Sequence, residues 1–278
     1  MISHSFALQP ERRGYWLVVN RQQLYWPMGQ SELWLATAGE VAQIFGEPEQ
    51  SGDLGQWHGQ PVFYWVVNDQ RDDEYNWQSP RALLAYGDDI FQLAARAVQV
   101  ALFLQTHRYC GQCGSAMHLV SWELATLCSR CGHRCYPRIA PCVLIAIVKD
   151  KQLLLARSHR HKAGFFSILA GFVESAETLE QAAVREVKEE VGINITNLQY
   201  VGSQPWPFPH SLMTGFIAEY QSGEIRCQPN EIEEAHWFDV TQLPDVPPVQ
   251  TLSGQIIAQV VNAILAQPQQ IRGNKKAT

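Results

Sequence analysis

Residues 171–193, GFVESAETLEQAAVREVKEEVGI, constrain this chain more than any other stretch. They contain a loop, a helix start, a helix and a helix stop. Thr178 is placed to cap the helix, and Gln181 three residues on completes a capping-box pattern. At about 100° per residue, Ala183, Val184, Val187 and Val191 form one apolar stripe. Glu186, Glu189 and Glu190 fall on a different arc, where Ala182 beside them leaves space. Gly192 stands in the usual position just past a helix end. Carboxylates three and four residues apart repel by roughly a few tenths of a kcal/mol per pair. Such a face is either a solvated acidic surface or the seat of a cation.

The fixed positions decide between the two. Gly171, Glu177, Arg185, Glu186, Val187, Glu189, Glu190, Gly192 and Ile193 fit G-x5-E-x7-R-E-U-x-E-E-x-G-U, where U is a bulky aliphatic residue. This resembles the Nudix box, the signature of hydrolases that cut a nucleoside diphosphate linked to another group. A diphosphate repels attacking water until its charge is neutralised. Hard cations take oxygen ligands, so clustered carboxylates are their natural holder. The resemblance implies that Glu186 and Glu190 ligate Mg²⁺ or Mn²⁺, with the backbone carbonyl of Ala170. Glu189 could ligate, orient water or act as base. Arg185 and Glu177 are expected to pair and fix the loop against the helix. Gly171 is expected to let the backbone approach metal and phosphate closely.

The 278 residues suggest two domains, with room for a sizeable core. A net charge of −6 argues against bulk nucleic-acid binding through phosphate neutralisation. The first residues lack the basic start and apolar stretch of a signal peptide, and no apolar run approaches the roughly 18 residues of a bilayer span. The expectation is a cytoplasmic protein with no membrane contact. Its seven cysteines should then be reduced, and clustered ones suggest a metal before a disulfide.

In the first third, residues 15–20, 23–26, 32–37 and 61–67 read as strands of a small sheet domain. Ser51, Gly52, Asp53 and Gly55 mark a loop, and the many aromatics read as core. Phe91, Ala94, Ala95, Val98, Ala101 and Leu102 predict a helix from Asp89, its expected cap, to about residue 105.

Cys110, Cys113, Cys128 and Cys131 form C-x2-C-x14-C-x2-C, each pair followed by glycine. Four thiolates in two knuckles close a tetrahedral zinc site, with no open position for water, so one structural Zn²⁺ per chain is expected. His133 could compete as a ligand but reads as a surface residue, and Cys135, Cys142 and Cys227 read as packing residues. His107, Arg108, Arg130, Arg134 and Arg138 make the segment locally basic, which suits an RNA-sized substrate.

Strands are predicted at 142–148, 152–156, 198–202, 212–220 and 235–238, with a helix whose stripe runs from Leu252 to Leu265 and whose cap is Thr251. Between two of these strands lies SQPWPFPHS, residues 203–211, where three prolines stiffen a loop that presents Trp206 and Phe208. Alone, such a loop is a packing or partner segment as readily as a ligand site. Its place ten residues beyond the box, together with the cysteine module, resembles the NADH pyrophosphatase branch of the Nudix superfamily, also known as NAD-capped RNA hydrolases.

That resemblance implies an α+β chain: a Nudix α/β/α sandwich with a mixed sheet, preceded by a zinc ribbon and a small N-terminal β-rich domain. The expected boundaries are 1–105, 106–139, 140–268 and a disordered tail at 269–278. It implies that Gln204, Pro205, Trp206, Pro207, Phe208, Pro209, His210 and Ser211 line the dinucleotide pocket and that Phe172 stacks on a base. Arg81, Glu123 and Tyr136 should approach the substrate, and Glu231 should be a further metal ligand rather than a solvated acid. Met28 stands where the family leads one to expect a lysine. The implied reaction splits NAD(H) into nicotinamide mononucleotide and AMP and removes the NAD cap from RNA, in a homodimer. The rivals are a Nudix hydrolase of another substrate such as ADP-ribose, and an RNA-binding zinc-ribbon protein.

Overall fold

The computed structural model describes residues 9–67 and 75–266, so the expected disordered tail lies outside the described residues. The chain divides into two compact units, Met1–Ile139 with Pro205–Ser211, and Ala140–Gln204 with Leu212–Thr278.

The first unit starts with β1 (Arg13–Asn20), β2 (Gln23–Tyr25), β3 (Leu35–Thr37), α1 (Ala38–Phe45), β4 (Gln50–Trp57), β5 (Gln60–Val67) and β6 (Trp77–Gln78). A 3₁₀ turn (Pro80–Tyr86) leads into α2 (Asp88–Thr106). The sheet order is β4-β5-β1-β2-β6, with β3 also on β1 and with β1 and β5 parallel. Alternation along the central strands assigns the two faces. Leu17, Val19, Tyr64 and Val66 pack with Ala94, Val98 and Ala101 of α2. Trp16, Val18, Phe63 and Trp65 pack with Val41 and Phe45 of α1. Most of the aromatics expected in the core pack there, but Tyr86 is 41% exposed.

The structure corrects three expectations for this unit. Residues 51–55 are not a loop but part of β4, an edge strand with a register shift between Asp53 and Gly55. Its polar composition hides it, because pairing with β5 rather than hydrophobic alternation holds it. Gly52 is required there, since a Cβ would lie 2.6 Å from the Tyr64 ring. The strand expected over 32–37 is confined to Leu35–Thr37, and Thr37 then caps α1 through a capping box with Glu40. Finally, α2 starts from Gly87 with no side-chain cap, and Asp88 and Asp89 lie in its first turn, where their charge suits the helix dipole.

The cysteine module follows as a three-stranded sheet of β7 (Met117–Leu119), β8 (Thr126–Cys128) and β9 (Arg134–Cys135).

The second unit contains β10 (Ala140–Lys149), β11 (Gln152–Ser158), β12 (Leu169–Phe172), α3 (Leu179–Val191), β13 (Asn194–Trp206), β14 (Ser211–Ser222), β15 (Ile232–Asp239) and α4 (Leu252–Leu265). Its order is β13-β14-β10-β11-β15, with β12 also on β10. Val143, Ile145 and Ile147 of β10 face Ala183, Val187 and Val191 of α3. Leu144 and Ala146 face the other way, onto Leu252, Ile256 and Val260 of α4. This is an α/β/α sandwich. The strands flanking SQPWPFPHS are longer than expected, so only residues 207–210 form the turn between β13 and β14.

Helix α3 has both ends fixed as its sequence indicates. The Thr178 side chain accepts from the Gln181 amide, the Gln181 side chain accepts from the Thr178 amide, and Gly192 closes the helix at φ 76°. Among the described residues, no helix is long and apolar enough to cross a membrane. Thr178→Ala should lower the stability of the second unit by about 1 kcal/mol, read as a drop in denaturant midpoint at unchanged slope.

Candidate active site and zinc centre

The buried side of α3 is wider than its apolar stripe. Ala182, Ala183, Val187 and Val191 are fully buried, whereas Val184, expected in the stripe, is 49% exposed. The space goes to two carboxylates: Glu186 and Glu190 are only 8% and 5% exposed. A solvated acidic face therefore describes Glu189 alone, whose side chain is half exposed.

Arg185 organises these acids. Its Nε donates to Glu177 Oε1 at 2.8 Å, and its Nη2 donates to Glu177 Oε2 and to the Phe172 carbonyl, both at 2.9 Å. Its Nη1 donates to Glu186 Oε1 and Glu189 Oε2, again at 2.9 Å. One planar guanidinium thus ties loop, strand and helix together, which a lysine ammonium could not do. Arg185 and the Glu174 amide together hold the Glu177 carboxyl down at about 2.

Gly171 sits over the same spot on β12, paired with Val143 of β10. A Cβ there would coincide with the Glu186 carboxyl group. The glycine is needed for that close approach, a more specific reason than a general allowance for metal and phosphate. Ala170 beside it is exposed, and the Phe172 ring is 56% exposed.

Glu190 is the outlier. Its Oε2 is buried without a hydrogen-bond partner. Burial, then the charges of Glu186, Glu231 and Glu189, push its carboxyl up to about 8. Burial also raises Glu186. Glu231 itself is exposed, on a turn tied to the end of α3 by the Gln228 amide donating to the Glu190 carbonyl at 2.9 Å. A buried oxygen without a partner, in the field of three further acids, suits a divalent cation, and the all-oxygen donor set fits a hard ion.

Two neighbours leave no local signal in the sequence. Arg157 on β11 donates to Glu233 at 2.5 Å and Glu234 at 2.7 Å, bracing the segment after Glu231 from more than seventy positions away. Cys142 is buried and close enough to Glu186 and Glu190 to be pushed up to about 12, by burial first and then by those charges.

The remaining expected residues fall into separate groups. In the first unit the Arg81 guanidinium lies 4.8 Å from the Phe208 ring centroid and 5.4 Å from that of Trp206. Trp206 also contacts buried Phe91. Pro207 and Ser211 are buried, Pro205 and His210 are half-buried, and Pro209 is exposed. On the ribbon, Arg134 bonds Glu123 at 3.0 Å and Tyr136 at 3.3 Å, beside exposed Trp122. Gln204 belongs to the second unit and is turned inward. Its amide donates to the Gln250 carbonyl at 3.0 Å, and its oxygen accepts from the Leu252 amide at 2.9 Å, at the start of α4.

The four ribbon thiols converge, all sulfurs lying within 4.8 Å of one another. The turns at Gly114 and Gly132, with φ 73° and 75°, shape the two knuckles. Hydrogen bonds from Ser115 draw the Cys113 thiol down to about 6, toward the thiolate that zinc requires. His133 bonds to Cys135 at 3.3 Å and is not in the cluster.

Known proteins resemble this chain over most of its length. Residues 138–260 match the model of the NUDIX domain, and residues 105–136 match that of the NADH pyrophosphatase zinc ribbon domain. The chain is a zinc-ribbon Nudix hydrolase. It is 46% identical over 248 residues to the NAD-capped RNA hydrolase NudC of Escherichia coli O1:K1, covering 89% of this chain and 93% of that one. The Shigella flexneri protein of the same name is 45% identical over the same coverage. A MutT NUDIX hydrolase structure from Burkholderia pseudomallei matches 45% of this chain and 98% of its own, at 27% identity and a TM-score of 0.38. By the extent of the first two matches, the chain belongs to the NAD-capped RNA hydrolase family.

Gly171→Ala should displace the Glu186 carboxyl group and lower kcat by roughly 10²-fold with the circular dichroism spectrum unchanged, since misplacing a catalytic group by about 1 Å costs that much.

Proposed function

We propose that this protein hydrolyses the diphosphate of NAD(H) to nicotinamide mononucleotide and AMP and removes the NAD cap from RNA, leaving a 5′-monophosphate. The observation that carries the reading is the buried, unpartnered Glu190 carboxylate among Glu186, Glu189 and Glu231, in a chain of this family. Glu186, Glu190 and Glu231, with the Ala170 carbonyl, would hold Mg²⁺ or Mn²⁺. Such an ion would neutralise the diphosphate oxygens and acidify a water molecule.

The protein's own groups then divide the work. Arg185 keeps Glu186 and Glu189 aimed, and its bonds to Glu177 and the Phe172 carbonyl fix their frame. Glu189, whose side chain is half exposed, would take the proton from attacking water. Phe172 would stack on a base. The segment from Gln204 to Ser211, with Arg81 on its aromatic rings, would select the dinucleotide, and Glu123 and Tyr136 would contact it. Gln204 contributes by anchoring the loop to α4. The four cysteines would hold one structural Zn²⁺.

The same proposal takes the ribbon at 106–139 as a module between an N-terminal domain at 1–105 and the Nudix domain at 140–268. The family matches at 105–136 and 138–260 support it. It also takes the working form as a homodimer in the cytoplasm.

Hydrolysis of NADH, NAD-capped RNA and ADP-ribose, measured side by side with Mn²⁺ and with EDTA, tests the reading. Both NAD substrates should be cleaved faster than ADP-ribose, all activity should vanish with EDTA, and Glu190→Gln should cost at least about 10²-fold in kcat. Preference for ADP-ribose, or RNA binding without cleavage, would replace it.

A further inference from the structure

The first unit contains a polar cavity of about 410 Å³, within the size range of small-molecule sites. Gln22, Gln99, Thr106, His107, Arg138 and His210 supply its polar lining, and no carboxylate does. All six belong to the same compact unit. Arg138 is exposed, and among the described residues no carboxylate lies within ion-pair distance of it. His107 is fixed through Nδ1, which lies 3.0 Å from Thr106 Oγ1 and donates to the Phe103 carbonyl at 3.2 Å. His210 is pushed below the usual histidine range by burial and then by the Arg138 charge. Basic groups thus converge with no counter-charge in the wall.

Donors of this kind suit phosphate oxygens. A guanidinium binds them bidentately, and carboxamide N–H groups add neutral donors. The net charge of −6 makes the long-range field unfavourable for RNA, so attraction must come from local groups such as these. His210 also belongs to the SQPWPFPHS loop, the segment proposed to select the dinucleotide. The two phosphates of a free dinucleotide are committed to the reacting diphosphate. An additional anion in this cavity would come from the strand beyond the cap or from free phosphate, and the test separates the two.

We infer that this cavity holds a backbone phosphate of the RNA strand attached to the NAD cap, with Arg138 as the residue that favours capped RNA over free dinucleotide. The inference rests on the proposed cleavage of NAD-capped RNA.

The test uses the full chain and two variants, Arg138→Gln, which removes the charge, and Arg138→Lys, which keeps it. Zinc content and melting temperature verify that both are folded. The readouts are kcat/KM on NADH and on NAD-capped RNA of about ten nucleotides, and the Kd of a 5′-monophosphate RNA oligonucleotide as a function of salt. For Arg138→Gln, kcat/KM on capped RNA should fall about tenfold while that on NADH stays within about twofold. The oligonucleotide should bind correspondingly more weakly, with its salt slope smaller by about 0.7, the value of one phosphate contact on a single strand. Arg138→Lys should recover most of the loss. Inorganic phosphate should compete with the oligonucleotide on the parent protein and not on Arg138→Gln.

Equal losses on NADH and capped RNA would place Arg138 in the dinucleotide pocket and overturn the inference. So would unchanged RNA turnover and binding, or phosphate binding that leaves the oligonucleotide undisturbed, which would mark a free-anion site. If the parent protein does not cleave capped RNA, the proposed function falls, and the oligonucleotide arm alone decides what the cavity holds.

Discussion

The guanidinium of Arg185 is the interaction on which the hydrolytic site depends. Five hydrogen bonds leave its three nitrogens, four to carboxylates and one to the Phe172 carbonyl. Without that charge, Glu177, Glu186 and Glu189 would repel one another, and the turn before α3 would lose its tie to β12. With it, acids three and four residues apart can stand together on one helix. The bonds are geometric as well as electrostatic, because each fixes a carboxylate oxygen in a plane.

Glu190 lies just beyond the reach of that arginine, and the contrast explains the site. Glu177 is held near 2 by Arg185 and a backbone amide, while Glu190 is driven to about 8 by burial and by its acidic neighbours. One carboxyl is a structural anion; the other has an oxygen without a partner in the protein. The fold sustains this unfavourable group because everything around it is firmly packed: Val143, Ile145 and Ile147 on the sheet and Val187 and Val191 on the helix. Stability is concentrated in the sandwich so that it can be given up at one carboxylate.

Much of this is legible in the sequence, and the parts that are not have a common cause. The capping residues Thr178 and Gly192, the Arg185–Glu177 pair and the four converging thiols are short-range patterns whose spacing carries their geometry. Strand β4 and helix α1 escape a reading of the sequence because long-range pairing and packing hold them against weak local signals. A helical wheel assigns Val184 to the apolar stripe, since it cannot show that two glutamates, rather than a valine, fill the inner arc. The Arg157 brace joins residues far apart in the chain, and no spacing announces it. Gly171 is recognisable as a close-approach glycine, but only the structure identifies the Glu186 carboxyl group as what approaches.

The most direct measurement is the number of protons released when Mg²⁺ or Mn²⁺ binds, obtained by calorimetry at pH 7 in two buffers of different ionisation enthalpy. Before the ion arrives, Glu190, with its carboxyl near 8, is mostly protonated at that pH, and a ligating carboxylate must be ionised. Release of close to one proton per chain is expected, declining toward zero above about pH 9 and absent in Glu190→Gln. Metal binding at pH 7 with no proton release would contradict the assignment of Glu190 as the unpartnered acid that the ion completes.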